Sequence, residues 1–550
     1  MIENKVLDGR LLSKMLLSGV ANFKIHIKEI NDLNVFPIPD GDTGDNMYMT
    51  LNGGVQAVLN TKSANVGEVA KIISNGMLLS ARGNSGVILS QLFAGFAKGL
   101  SDKKEANLKD VCLALKSAVK QAYSAVSQPV EGTMLTVARE TSAKANAVCD
   151  TVASAQEFGE ICLAEVKRSL DRTPELLPTL KEAGVIDSGG AGLYYLAQGI
   201  IYGLEDKQVE EVAVTMGMTQ VDYSKFNKDS VMEFGYCTEC LLQLQTIKVD
   251  VDAFDVSTIV EFLESVGDSV VAFKTDSIIK LHVHTLTPSK VLEFCQQFGE
   301  FLNIKIENMS LQHNGLKEEE EKKFVKKRPH KKYGLVTVAL GKGLTDVFYE
   351  LGADIVINGG QTKNPSVEDF VNAFEEVNAD EIFVLPNNSN IIMAAQKASE
   401  IYKDAKVHLI RTKNFGQAYS ILSMLDYSSD DGELIAGGMK RDMEGTITAQ
   451  ITSSVRDALI NNVSIKSGAY IGFTDKEMKV SDPDKLVVFE QLLQTLNVQD
   501  KNFLICVYGQ TVSEEEKEKS REIIQAKYSD IEFYEIDGGQ EVYDYILIIE

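Results

Sequence analysis

The chain has 550 residues, 44% hydrophobic and 24% charged, with a formal net charge of −24. That length exceeds what one hydrophobic core supports and predicts roughly two to four domains. The acidic excess excludes nucleic acid as the main partner, since nothing broad would neutralise phosphates, and no run of about 18 apolar residues is present to cross a bilayer.

The first residues, MIENKVLDGRLLSKMLL, carry charge throughout and lack a signal-peptide core, so a cytoplasmic location is the default expectation. Residues 1–205 read as helices. Leu108, Val111, Cys112, Leu115, Ala118, Val119 and Ala122 recur at i, i+3, i+4 and i+7, and similar patterns fit 5–30, 44–60, 66–80, 85–101, 133–149, 155–170 and 189–203. Glycine clusters and prolines fall between these about eight helices. A polar linker is expected at 206–233.

Residues 234–313 then alternate as β-α-β-β-α-β, the order of a split βαβ (α+β) domain. A block of acidic then basic residues, 314–332, reads as a solvated linker whose basic half could dock an acidic partner. From Tyr333 to Glu550 strand-like runs (GLVTVAL, DIVIN, EIFVLP, KVHLI, GAYIGF, FLICVYG, YILIIE) are separated by helical segments, which predicts an α/β domain with a mostly parallel sheet. The seven cysteines do not look like a disulfide framework. Cys112, Cys149, Cys162, Cys295 and Cys506 stand singly among apolar residues and are expected as buried small hydrophobes.

The densest chemistry is NDLNVFPIPDGDTGDNM, residues 31–47. Asp40, Asp42 and Asp45 lie within six residues with Gly41 and Gly44 between them. Carboxylates packed this closely repel unless a cation sits among them, and magnesium takes oxygen ligands that it shares with substrate phosphates. The competing reading is an acidic turn capping the next helix. An EF-hand is excluded because Leu51 stands where the twelfth-position glutamate belongs. Three further glycine-rich helix starts suit phosphate through free N–H groups and the helix dipole. These are ARGNSGVIL (81–89, with Asn84, Ser85 and Gly86), EGTMLTVARE (131–140, with Gly132, Thr133 and Met134, the last able to pack on a base) and GVIDSGGAGLYYL (184–196, with Asp187 and Gly189). Each alone could be an ordinary N-cap. No Walker lysine motif or dinucleotide fingerprint is present.

The set DGDTGDNM, ARGNSG, EGTM and DSGGAG, in this order and spacing, resembles the nucleotide-binding L subunit of bacterial dihydroxyacetone kinases. Over essentially all 550 residues the chain is similar to the ATP-binding subunits of bacterial fatty acid kinases. The resemblance implies an all-α, eight-helix barrel (DhaL-like) holding ATP and magnesium, an α+β middle domain and an α/β C-terminal domain like the DegV fatty-acid-binding proteins. It implies a kinase that phosphorylates the carboxylate of a fatty acid presented by a separate fatty-acid-binding protein. Asp40 and Asp42 match the family's metal-holding, catalytic carboxylates. Asn34 and Asp32 are the nearby candidates for the remaining metal contact, Asp45 is either a further one or a helix cap, and Thr43 and Asn46 join the cofactor-binding set. Thr43 stands where the L-subunit motif commonly has histidine. The alternatives are a dihydroxyacetone-type small-molecule kinase and a non-catalytic nucleotide-sensing regulator.

In the middle domain, Cys237-x-x-Cys240 and His282-x-His284 offer typical zinc ligands, with residues two apart on a strand facing the same side. The resemblance favours Cys240, His282 and His284. Two readings stay open: a structural or partner-docking zinc, and a catalytic pair in which His282 or His284 shuttles phosphate. In the C-terminal domain, GGQTKNPS (359–366) and LPNNSN (385–390) follow strands, where α/β ligand sites lie. This domain is expected to dock the acyl carrier or to form a homodimer.

Overall fold

The computed structural model describes residues 6–550 apart from 34–40, 60, 62, 127, 206–235, 252, 276, 309–327, 361–362 and 476. The linker expected at 206–233 lies outside the described residues, as does most of that expected at 314–332. The chain divides into two compact units, one built from Met1–Val214 with Lys327–Glu550, the other from Thr215–Lys326.

The N-terminal half of the first unit is all-helical: α1 (Gly9–Ile25), α2 (Ile27–Asp32), α3 (Thr43–Leu59), α4 (Val66–Leu79), α5 (Gly83–Gly99), α6 (Leu108–Ala125), α7 (Met134–Val148), α8 (Ala155–Asp171), α9 (Thr173–Leu176), α10 (Pro178–Ala183) and α11 (Ser188–Leu204). Among the described residues, eight of these are long, 14 to 18 residues. Polar side chains start many of them. Asp8, Asn65, Asn107, Thr133, Ser154 and Asp187 each accept a backbone N–H of the first turn, a contact that contributes about 1 kcal/mol per cap. The long helices pack in a closed ring, α1 on α3 and α4, then α5, α6, α7, α8 and α11 back onto α1. Leu16, Phe23, Met47, Leu51, Ile73, Met77, Leu89 and Leu196 fill it, each stabilising by roughly 1.5–3 kcal/mol through burial. The helices α3 and α4 approach to backbone contact, since a Cβ on Gly76 would lie 2.4 Å from the Gly53 carbonyl oxygen.

The second unit holds β1 (Tyr236–Leu244), α12 (Ser257–Val266), β2 (Asp268–Thr275), β3 (Ile278–Thr285), α13 (Pro288–Gln296) and β4 (Gly299–Asn308). The sheet order is β2-β3-β1-β4, with every pairing antiparallel. Both helices cover one face, where Ile259, Leu263, Val291 and Cys295 pack on Cys240, Leu242, Leu281 and Val283. This is the β-α-β-β-α-β arrangement expected from the sequence.

The C-terminal half of the first unit contains two sheets. One is four-stranded and wholly parallel, ordered β6 (Ile355–Asn358), β5 (Lys331–Ala339), β7 (Ala379–Leu385), β8 (Lys406–Leu409). The other is six-stranded. It runs β13 (Glu477–Asp482), β12 (Tyr470–Thr474), β9 (Ile447–Ser453), β16 (Tyr545–Ile549), β14 (Phe503–Tyr508), β15 (Glu532–Asp537), with a small hairpin of β10 (Ala458–Ile460) and β11 (Val463–Ile465) beside it. The expected mostly parallel sheet is therefore half right. In the second sheet only β14 and β15 pair in parallel. The chain between Thr474 and Glu477 is far too short for a parallel crossover, which takes about a dozen residues. One core spans both sheets, from Leu335 and Phe383 to Val507 and Ile548.

Of the five single cysteines, Cys112, Cys295 and Cys506 are buried, whereas Cys149 and Cys162 are half-buried. Burial pushes the Cys295 thiol up to about 12, so it stays protonated. Among the described residues, no helix is long and apolar enough to cross a membrane.

Candidate nucleotide site

Four helix starts meet at one end of the bundle. Asp42 precedes α3, and its carbonyl accepts the first helical bond from Asn46 N at 2.8 Å. Asn31, on α2, locks the same turn. Its Oδ1 accepts from Gly44 N at 2.7 Å, and its Nδ2 donates to Asp45 Oδ2 at 2.7 Å. Asp45 thus ties α2 to α3. Asp40 and Asn34, also candidates for the metal, lie outside the described residues.

The start of α5 lies against α3. Gly83 has a φ of +57°, and a Cβ on it would stand 2.7 Å from Asn46 Nδ2; one on Gly86 would stand 2.4 Å from Thr50 Oγ1. Only glycine fits a left-handed residue at so close an approach. The start of α11 touches that of α3, with Ser188 Oγ donating to Thr43 Oγ1 at 3.4 Å. Asp187 joins α11 to α7. Its Oδ2 accepts from Gly190 N at 2.7 Å, and its carboxylate also accepts from the backbone of Met134. Burial nevertheless outweighs these bonds and pushes the carboxyl up to about 6. A Cβ on Gly189 would lie 3.2 Å from Met134 Sδ, so that side chain walls the junction.

Ahead of α7, Gly132 has a φ of +81° and donates its N–H to Thr136 Oγ1 at 2.8 Å. Thr133 caps the helix. Glu131 receives Thr136 Oγ1 at 2.5 Å and Arg139 Nη2 at 2.8 Å. Burial raises its pKa, but these bonds and that from Tyr123 prevail and hold it below its usual value. Contacts therefore run from α5 to α3, from α3 to α11 and from α11 to α7. Free N–H groups at such starts, each at the positive end of a helix dipole, gather the local positive potential that an acidic chain needs to hold an anion.

Sequence reasoning missed two residues here. Arg82, just before α5, donates from Nη1 to the Asn364 carbonyl oxygen at 3.3 Å, and Asn364 Nδ2 donates to Asp42 Oδ2. Asn364 belongs to the first of the two strand-end turns read as ligand sites. Asn390, in the second, accepts from Asn84 Nδ2 at 3.4 Å. Both turns therefore touch the helical bundle of the same chain.

Three family models match the chain: the DAK2 domain over residues 37–202, the FakA-like fatty acid kinase middle domain over 233–316 and the FakA-like fatty acid kinase C-terminal domain over 334–550. Protein YloV of Bacillus subtilis is 38% identical over 556 residues, covering 99% of this chain and 100% of that protein. The chain belongs to the FakA-like fatty acid kinase family. Uncharacterised proteins of Staphylococcus aureus are 34% identical over 549 residues, 99% of either chain. Among solved structures, DegV of Bacillus subtilis, a fatty acid binding protein, aligns with 40% of this chain and 99% of its own at 12% identity and a TM-score of 0.31. The dihydroxyacetone kinase from C. freundii, in complex with AMP-PNP and Mg2+, aligns with 36% of this chain and 35% of its own at 18% identity and a TM-score of 0.29.

The zinc set expected in the middle domain does not assemble as four ligands. Cys237 pairs with His284 and Glu239 with His282 across β1 and β3, whereas Cys240 pairs with Leu281. Directly paired residues share a face and neighbours along a strand alternate. Cys240 therefore lies on the helix-covered face, where it is buried in the core, opposite the face that the register gives to Cys237, His282 and His284. The side chains of those three lie outside the described parts of the structure. Among the described residues, no three His, Cys, Asp or Glu side chains cluster as a metal site.

At the C-terminal ends of β5 and β7 a cavity of about 340 Å³ opens, lined by Leu340, Asn387, Asn388, Phe415 and Gln540 among others. This is the place where ligands of α/β sheets lie.

Proposed function

We propose that this family member is the ATP-binding subunit of a fatty acid kinase. It moves the γ-phosphoryl group of ATP onto the carboxylate of a fatty acid held by a separate fatty-acid-binding protein. A carboxylate oxygen attacks the γ-phosphorus, the bond to the β,γ-bridging oxygen breaks, and the products are ADP and an acyl phosphate. The observation that carries this reading is the meeting of four glycine-rich helix starts around Asp42 in a chain of this family.

The residues present fit a magnesium nucleotide. Asp42 offers carboxylate oxygens beside these starts, and Asn84 Oδ1 is a buried oxygen there with no hydrogen-bond partner among the described residues. Asp42, with Asp40 as the second carboxylate, would hold magnesium, which when bound neutralises charge on the phosphates. The chain's own groups do the rest. N–H groups at the starts of α5 and α11 donate to phosphate oxygens, Thr43 and Asn46 line the turn between them, and Met134 backs the base. The acceptor carboxylate is already ionised near neutral pH, so no general base is required and the task is positioning.

The test is ATP consumption by the full chain in three mixtures: with lipid-loaded fatty-acid-binding protein, with dihydroxyacetone, and with neither. Turnover only in the first is expected. Turnover with dihydroxyacetone alone would move the acceptor to a small molecule, and nucleotide binding without turnover in any mixture would make the chain a sensor.

A further inference from the structure

We propose that the nucleotide site is shared between the helical bundle and the C-terminal α/β half, with Asn364 as a positioning residue for Asp42; this rests on the nucleotide reading of the bundle. Asn364 is 3% exposed and its amide Nδ2 donates to Asp42 Oδ2. Its backbone is held from both sides. Arg82 Nη1 donates to the Asn364 carbonyl oxygen at 3.3 Å, and two residues on, Ser366 caps the helix Val367–Val377 in a capping box with Asp369. Arg82 and Ser366 also form an antiparallel bridge, and Val367 N donates to Ala81 O at 3.2 Å. Apolar packing backs the polar contacts, since Ala81 and Val87 of the bundle are buried in one cluster with Val367, Phe370, Ile391 and Ala394.

The chemistry of the contact is specific. A neutral amide can fix the rotamer of a carboxylate without bringing a positive charge that would compete with a metal ion. The Arg82 guanidinium nearby is turned to the Asn364 carbonyl and, at 4.0 Å, to Asp369. Around the same point, Asn364 Oδ1, Asn84 Oδ1 and Arg82 Nε are buried with no hydrogen-bond partner among the described residues. An unpaired buried polar atom costs about 1–3 kcal/mol, a cost that a ligand bringing its own donors and acceptors would offset. Residues that hold a metal-binding carboxylate from outside typically change metal affinity about 10–100-fold when removed.

The experiment uses the full chain. Binding of a fluorescent ATP analogue is titrated with Mg2+ for wild type, Asn364→Ala and Asp42→Ala, and KM for ATP and kcat are measured alongside. Asn364→Ala is expected to need about tenfold more Mg2+ for half-saturation, with kcat at saturating Mg2+ much less affected. If its unfolding midpoint falls, Asn364→Ser, whose hydroxyl is too short to reach Asp42, is titrated in its place with the same expectation. Unchanged Mg2+ dependence in both variants, while Asp42→Ala abolishes binding, reduces Asn364 to packing and overturns the proposal while the nucleotide reading stands. A wild-type chain that binds no magnesium nucleotide removes the reading, and the proposal with it.

Discussion

The bundle end and the middle sheet hold their chemistry by opposite geometrical rules. In the bundle, residues far apart in sequence meet because glycine lets one helix start press on the next, at Gly83 against Asn46 and Gly189 against Met134. In the sheet, residues close in sequence are kept apart because alternate positions face opposite sides, so Cys237 and Cys240 cannot serve one point while both belong to β1. Helix starts can be assembled wherever packing brings them. A strand permits only partners of one parity.

Removing the carboxylate at the centre of the bundle site breaks the comparison most severely. Asp42→Ala is expected to lower phosphoryl transfer by about 10³-fold, measured as acyl-phosphate formation with lipid-loaded carrier. Full activity in that variant sinks the assignment. Gly83→Ala tests the assembly itself. The left-handed backbone and the 2.7 Å approach to Asn46 are expected to cost about 1–3 kcal/mol of stability. Nucleotide binding should weaken about tenfold, the figure that 1.4 kcal/mol represents. Calorimetric unfolding and the nucleotide titration check the two effects separately.

Asp187 allows a test by pH. Its folded carboxyl titrates at about 6, above the roughly 3.9 of an unfolded aspartate. The folded state therefore holds this proton more tightly than the unfolded chain. The favourable contribution is present at low pH and is lost as pH rises from about 4 through about 6. Asp187→Asn, which keeps an acceptor for Gly190 N, should remove that fall. The difference in unfolding midpoint between variant and wild type should then move in favour of the variant from about pH 4 to about pH 7. A constant difference across that range refutes the assignment of the shift to this residue.

The long helices were legible because an amphipathic stripe repeats over four or five turns, as on α6 with its buried Cys112, Ala114, Ala118 and Ala122. The short α9 and α10 carry too few residues for a period to show. In the C-terminal half, the continuous apolar run of β5 was evident, with seven consecutive buried residues. The polar edge strand β15 was not, because four of the six residues of EFYEID are exposed and only Phe533 and Ile536, on opposite faces, are partly covered, so no alternation shows. The four helix starts were legible from glycine and cap residues. Their junction with Asn364 was not, since that contact joins positions 322 residues apart and no local pattern encodes it. The Cys240 error came from carrying the set Cys240, His282 and His284 over from the family resemblance and leaving strand parity out.

That error yields the mildest test. Cys240 is 2% exposed and packs with Cys295 and Leu281, so Cys240→Ala should act as a small core truncation. Its expected cost is about 1 kcal/mol. Metal content, ATP affinity and transfer rate should stay at wild-type values, because the residue faces the helices. A structural truncation lowers the unfolding midpoint only. If Cys240→Ala instead strips a stoichiometric metal ion from the purified chain, the ladder between β1 and β3 is shifted by one residue. Every side chain of one strand would then change face, and the contrast between bundle and sheet would fail with it.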